Sequence, residues 1–247
     1  MSRGVVLLAL DTAGPRPGAA VVDAGGRVRS SYLDESSGKR SEAVGALAVE
    51  LLAQAGLALS ALQAIAVVTG PGSYTGLRTG LALVRGLAFL DSLPVVGVGS
   101  LELFAFRAGS AGKSVLAVAS AGSERFYCAA YAHAGDTVEA RDDVGVLEAD
   151  ELRRRIDEHR GADCLIAADA ASTPSIVALR PVPTVVRVDD GAVTDLARLG
   201  VARHARGQAR PAAQVLPCYV GTSTPRPNQA RVAAAFLRPH GGAHQPE

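Results

Sequence analysis

The first third of the chain alternates short apolar runs, polar breaks and longer helical patterns. Residues 4–10 are continuously apolar and end at Asp11 and Thr12, the pattern of a strand buried on both faces. Ala19–Asp23 and Arg27–Leu33 flank Ala24-Gly25-Gly26, which predicts a hairpin. After the polar stretch 34–39, Arg40–Ala55 has helical periodicity, with Ser41 placed to cap its start and Gly56 to end it. Ala64–Thr69 predicts a second buried strand and Gly70–Gly80 a glycine-rich turn. A helix follows over Thr75–Leu90, stopped by Asp91-Ser92-Leu93-Pro94. Val95–Val98 predicts a strand and Leu101–Arg107 a short helix.

Three strands with a hairpin, then two strand–helix crossovers, is the plan of a ribonuclease-H-like lobe. The rest is a thinner mixed α/β pattern. Strands are expected at Val115–Ser120, Arg125–Ala132, Cys164–Ala168 and Thr184–Val188, and helices at Asp150–His159 and Val193–Arg206. No short-period repeat occurs. From Pro211 the chain is punctuated by proline and glycine. A short helix is expected over Asn228–Arg238, and Pro239–Glu247 is expected to be disordered.

Two helices carry more than one apolar face. In 40–55, Val44, Leu47, Ala48, Leu51, Leu52 and Ala55 form one stripe, and Ala46, Val49 and Ala53 fall opposite. In 75–90, Leu77, Leu81, Val84 and Ala88 form one face. Ala82, Leu83, Gly86, Phe89 and Leu90 form the other, with Arg78 and Arg85 between. Interior glycines at 80 and 86, each costing about 1 kcal/mol against alanine, call for close approach of another backbone. Either both helices are sandwiched inside one fold, or their second faces form a subunit interface.

Composition narrows the function classes. The 247 residues suit one large domain or two lobes, and 48% apolar with 20% charged residues is globular. A net charge of +1 lacks the footprint of a protein that wraps duplex nucleic acid alone, and 4% aromatics with no Trp argues against stacking platforms. Only six apolar residues, Val5–Leu10, precede Asp11, too few for a signal-peptide core, and Arg85 interrupts the apolar stretch Leu81–Leu90. A cytosolic location is expected. Cys128, Cys164 and Cys218 match no metal spacing and are expected to be reduced thiols.

The run Gly70-Pro71-Gly72-Ser73-Tyr74-Thr75-Gly76-Leu77-Arg78-Thr79-Gly80 joins a strand to a helix start, where free N–H groups and the helix dipole suit an anion. It lacks the Lys-Ser/Thr of a Walker loop. Gly112-Lys113-Ser114 has those letters in a helix-to-strand context, the reverse of what a phosphate loop needs. No Gly-x-Ser-x-Gly elbow occurs. His240 and His244 have metal-pair spacing but flank two glycines in the tail, so no metal site is expected. Arg153-Arg154-Arg155 sits among Asp150, Glu151, Asp157 and Glu158 and reads as a solvated helix face.

The Gly70–Gly80 run, the opening Leu8-Ala9-Leu10-Asp11-Thr12 and Pro94-Val95-Val96-Gly97-Val98, in that order, resemble the TsaB (YeaZ) family of the tRNA threonylcarbamoyladenosine (t6A) pathway. The similarity is strong over residues 4–106, thin over 107–220 and absent beyond. It implies an α/β, two-lobed ASKHA (actin/Hsp70-like) fold. An N-terminal lobe would span 1–106, a smaller lobe 107–220 and a partly disordered tail 221–247. It implies a non-catalytic paralogue that binds and activates the TsaD transferase through the two helices. A TsaE-like ATPase would dock on the pair, the isolated chain would homodimerise, and tRNA would be contacted indirectly. The interface expected on this basis is Ala46, Val49, Ala53, Gly76, Gly80, Ala82, Leu83, Gly86, Phe89 and Leu90.

The catalytic paralogue carries His-x-x-x-His after the fifth strand. The aligned positions here are Ser100 and Phe104, neither able to replace an imidazole ligand. The chain also departs from the TsaB pattern. Ser120-Ala121-Gly122 stands for Asp-Ala-Arg, Pro217-Cys218-Tyr219-Val220-Gly221 for Pro-x-Tyr-x-Arg, and Gly14-Pro15-Arg16-Pro17-Gly18 for a Ser/Thr-rich turn. The two prolines remove N–H donors from the turn that holds phosphate in ATP-binding relatives. Asp11, Thr12, Gly70, Gly72, Ser73, Thr75 and Arg78 therefore form either a degenerate phosphate site or a structural junction. No cofactor is expected to be required by this chain, with ATP or ADP entering only in a complex. The rivals are a nucleotide-binding ASKHA kinase or ATPase, and a divergent homodimer with another role.

Overall fold

The computed structural model describes residues 5–14, 16–23, 27–33, 43–161, 163–179, 182–188 and 192–221. The Ala24–Gly26 turn, Pro15, the start of the first helix with Ser41, His240, His244, the expected helix 228–238 and the rest of the tail lie outside these residues.

Two six-stranded sheets carry the fold. In the first, β1 (Leu7–Asp11) pairs antiparallel with β2 (Gly18–Val22), which pairs antiparallel with β3 (Val28–Leu33). On its other side β1 runs parallel to β4 (Ala64–Gly70), and β4 to β5 (Pro94–Gly99). Strand period 2 with both faces covered explains the unbroken apolar run of β1. Leu8 and Leu10 face α1 (Val44–Gln54) and α2 (Tyr74–Asp91), while Leu7 and Ala9 face the opposite layer.

The second sheet orders β11 (Thr184–Arg187), β10 (Cys164–Ala168), β6 (Ser114–Gly122), β7 (Arg125–His133) and β8 (Val138–Ala140), with β9 (Gly145–Glu148) also on β7. Its outer face packs on α4 (Ala149–Glu158), through Leu152 and Ile156, and α5 (Thr173–Ala178), through Ile176. Between the sheets lies α3 (Ser100–Ala108). It gives Leu103 to the first sheet's core and Leu101 and Ala105 to the second's. The short elements β8, β9 and α5 had no sequence signal. Arg155 of α4 pairs with Asp142 and Glu158, a charge-laced face as expected. Lys113 pairs with Asp163 at 2.7 Å and Ser114 opens β6, so Gly112-Lys113-Ser114 is a strand entry.

The chain past residue 191 departs from the expected 107–220 lobe, because it packs on the first sheet. On α6 (Ala192–Ala205), Leu196 and Leu199 join the core formed with Leu7 and Ala66, and a Cβ on Gly200 would meet the Ala66 Cβ at 2.6 Å. β12 (Arg210–Pro211) then pairs antiparallel with β5. Residues 212–221 run along α2 as a strap. Arg85 Nη2 donates to Val215 O (3.3 Å), and Cys218 N donates to Thr69 O (2.7 Å).

The second faces of α1 and α2 are not sandwiched. Ala46, Val49 (57% exposed) and Ala53 face out from α1, and Ala82, Gly86 and Phe89 (82% exposed) from α2. Leu83 is half-buried and packs on Gly45 of α1. The side chain of Leu90 lies outside the described residues. Gly76 and Gly80, expected on the partner face, are buried instead: a Cβ at either would overlap Thr12. The glycine in open space is Gly86, where a Cβ meets nothing within 4 Å.

Gly86→Ala is therefore expected to stabilise the isolated chain by about 1 kcal/mol, the helix-propensity gain. Gly76→Ala is expected to destabilise it by about 1–3 kcal/mol through overpacking on Thr12. Urea unfolding of the two variants reads both, and equal effects would overturn the assignment of Gly76.

Candidate functional site

The glycine-rich run is a junction between three chain segments. Gly70 has φ +106°, and a Cβ there would sit 2.8 Å from the Cys218 carbonyl of the strap. A Cβ on Gly72 would sit 2.8 Å from the Ala13 carbonyl. Ser73 caps α2: its Oγ accepts from Gly76 N (3.3 Å), and its own N–H donates to Ala13 O (3.0 Å). Thr12 Oγ1 donates to Gly76 O (2.7 Å). The motif's spacing thus matches contacts made to Thr12, Ala13 and Cys218.

Between the sheets is a cleft of about 540 Å³. Asp11, Gly72 and Ser73 line it; Thr12, Gly70, Thr75 and Arg78 do not. Thr12 is buried behind it, whereas Thr75 and Arg78 are exposed on α2, where Arg78 Nη1 donates to the Tyr74 hydroxyl (2.7 Å). Ser100 and Phe104 of α3 also line the cleft, as do Ser120, Tyr127 and Asp169.

Asp169 was not singled out from the sequence. It follows the buried strand β10 as Asp11 ends β1, and an acid closing a buried strand is the signal that both share. Asp169 accepts from Ser172 N (2.8 Å) and Ser120 N (3.1 Å). Asp11 Oδ1 accepts from Ala13 N (2.9 Å) and Gly14 N (3.3 Å). Burial pushes the Asp11 carboxyl above its usual value of 3.8, and these two N–H bonds offset that only in part.

This arrangement suits a phosphate poorly. The N–H groups of residues 13, 14, 73, 76, 120 and 172, which could cradle an anion, are taken by Asp11, Ala13, Ser73 and Asp169. Two carboxylates face the cleft, with Arg16 at its rim. His133, a residue with metal-ligand chemistry, has both ring nitrogens engaged, with Phe106 O (3.0 Å) and Gly135 N (3.1 Å).

Comparison with known proteins places this geometry. The sequence model described as "TsaD: tRNA N6-adenosine threonylcarbamoyltransferase" matches residues 34–163, more than half of the chain. The solved structure of YeaZ from Pseudomonas aeruginosa superposes with a TM-score of 0.72 at 28% identity, covering 87% of this chain and 100% of that one. The chain belongs to this family, in its TsaB (YeaZ) branch. Its fold is the mixed α/β fold of that solved YeaZ structure. The tRNA threonylcarbamoyladenosine biosynthesis protein TsaB of Haemophilus influenzae is 33% identical over 103 residues, 42% of this chain and 43% of that protein. A tRNA N6-adenosine threonylcarbamoyltransferase of Geobacter sp. (strain M21) is 34% identical over 113 residues, 40% of this chain and 33% of that enzyme. The chain spans less than half the length of these two curated relatives.

For Asp11 the sign of pH dependence follows from its raised value. Its contribution to stability is greatest below about 3.8 and is lost as pH rises through the folded value. Asp11→Asn keeps an oxygen for the Ala13 and Gly14 N–H groups without the charge. Its melting temperature relative to the parent is expected to be higher at pH 7 than at pH 3. A pH-independent difference would refute the burial cost.

Proposed function

We propose that this chain is the accessory subunit of a cytoplasmic tRNA t6A-modifying complex, binding and activating a TsaD-like transferase and doing no chemistry itself. The observation that carries the reading is the exposed apolar face shared by α1 and α2. Val49 and Phe89 stand out at 57% and 82% exposure, with the small residues Ala46, Ala53, Ala82 and Gly86 around them. Burying a side chain the size of Phe89 is worth about 1.5–3 kcal/mol, and small neighbours let a second helix pair approach closely. No Asp or Glu lies on α2 before its last residue, Asp91.

Three features support a non-catalytic role. Ser100 and Phe104 occupy the cleft wall where the catalytic paralogue carries its histidines, and neither can ligate a metal as imidazole does. The N–H groups of residues 13, 14, 73, 76, 120 and 172 around the cleft are satisfied within the chain. The charge of Asp11 is disfavoured by burial. Nucleotide then enters only with the partner, and a TsaE-like ATPase docks on the assembled pair. In the absence of TsaD the same face pairs two copies of this chain.

The test is co-purification with the organism's own TsaD. Val49→Asp with Phe89→Asp is expected to abolish capture, a loss of a hundredfold or more in affinity from lost burial and two desolvated charges. The melting temperature of the isolated chain should stay within a few degrees. Depletion of the chain is expected to lower t6A in tRNA. Unchanged capture by the double variant, or unchanged t6A on depletion, would overturn the reading.

A further inference from the structure

Beside the α1/α2 face is a second exposed surface of different chemistry. At the start of α2, Tyr74 is 59% exposed, and Tyr219 of the strap is 45% exposed. Their rings lie against each other, centroids 5.3 Å apart and tilted by 35°. The Arg78 guanidinium sits 5.2 Å from the Tyr74 ring centroid and donates to its hydroxyl. Leu216, 58% exposed, lies on the same strap. Arg85 is two turns further along α2, exposed and bonded to Val215 O, and the exposed Arg210 stands where the strap leaves β12.

The two segments that build this surface, 70–90 and 210–221, contain three arginines and no Asp or Glu, in a chain whose net charge is only +1. These two segments carry cationic charge with no carboxylate of their own before Asp91, which ends α2, and the Tyr74–Tyr219 ring pair with Arg78 over Tyr74 sits at the other end. Stacking faces joined to a cationic track are what an unpaired nucleotide strand requires: bases stack on the rings and phosphates follow the arginines. Tyrosine and arginine also anchor protein interfaces, so the TsaD arm of the test separates that occupant from a nucleotide strand.

We propose that Tyr74 and Tyr219, with Arg78, Arg85 and Arg210, bind a single-stranded segment of RNA directly on this chain. The choice of RNA as the polyanion rests on the t6A reading above; the site itself does not. The strip borders the face proposed for TsaD, so a strand bound here would run toward the partner's side of the complex.

The full chain alone is titrated against a fluorescein-labelled single-stranded RNA of about 20 nucleotides, longer than the site size of typical single-strand binders, and against its duplex form. The single strand is expected to bind more tightly. Tyr74→Ala with Tyr219→Ala is expected to weaken it tenfold or more, while Tyr74→Trp with Tyr219→Trp retains it. Arg85→Gln and Arg210→Gln should each flatten the dependence of log K on log salt by about 0.7. Far-UV circular dichroism and melting temperature confirm that the variants fold. No binding by the parent chain, or equal binding by the alanine variant, overturns the proposal. So does loss of TsaD capture by the alanine variant with RNA binding intact, which would assign the patch to protein docking. Failure of the parent chain to capture TsaD sinks the accessory-subunit reading, while the RNA titration, made without the partner, still decides this one.

Discussion

The contact on which the rest depends is the wedging of the end of β1 into the first two turns of α2. Thr12 reaches the helix because Gly76 and Gly80 have no side chains, and its hydroxyl then bonds the Gly76 carbonyl. Ser73 closes the junction from the other direction through Ala13 O. With that distance set by backbone contact, the remaining geometry follows. Asp11 is held at the cleft with its charge disfavoured, and the opposite side of α2 is turned outward. The same run receives the strap at Gly70 and Thr69, bringing Tyr219 onto Tyr74.

A second constraint ties the two sheets together. α3 is apolar on two sides and lies between them, and two ion pairs, Glu102–Arg203 and Arg107–Asp195 (3.8 Å), link it to α6. Glu102 pairs with Arg203, accepts from Gly99 N (3.2 Å) and sits where Arg203 Nη1 also bonds Gly97 O (3.0 Å). Burial pushes the Glu102 carboxyl up, and the Arg203 guanidinium pulls it partly back. Removing one member of such a pair leaves the other charge buried without compensation, which costs more than replacing both. This pair holds the helix that presents Ser100 and Phe104 to the cleft.

Three surfaces emerge with separate chemistries. The cleft is lined by Asp11 and Asp169, each bonded to nearby N–H groups, the α1/α2 face is apolar and small-residue-rich, and the strap edge is aromatic and cationic. The latter two share α2, so one helix positions both proposed contacts. Neither requires the cleft to do chemistry.

The strand and helix order of the first lobe was legible because period 2 and period 3.6 patterns and cap residues act locally. Gly56 at φ +69° just beyond α1 and the Ser73 cap of α2 are examples. What periodicity could not tell was which apolar second face is covered. Leu101–Arg107 read as an ordinary short helix, yet it is the one lodged between sheets, while α1 and α2 keep exposed second faces. Burial depends on what arrives from elsewhere in the chain. The expected lobe 107–220 failed past residue 191 for the same reason, since α6 and the strap return to the first sheet across more than a hundred residues. The sequence by itself determined the elements of the first lobe, the motif and the family resemblance, through residue types acting within a few positions. Only the tertiary structure separated Gly76 and Gly80, packed on Thr12, from Gly86 in the open. Only the structure brought Asp169 to Asp11's cleft and Tyr219 to Tyr74, because those distances are set by packing between segments that carry no record of each other.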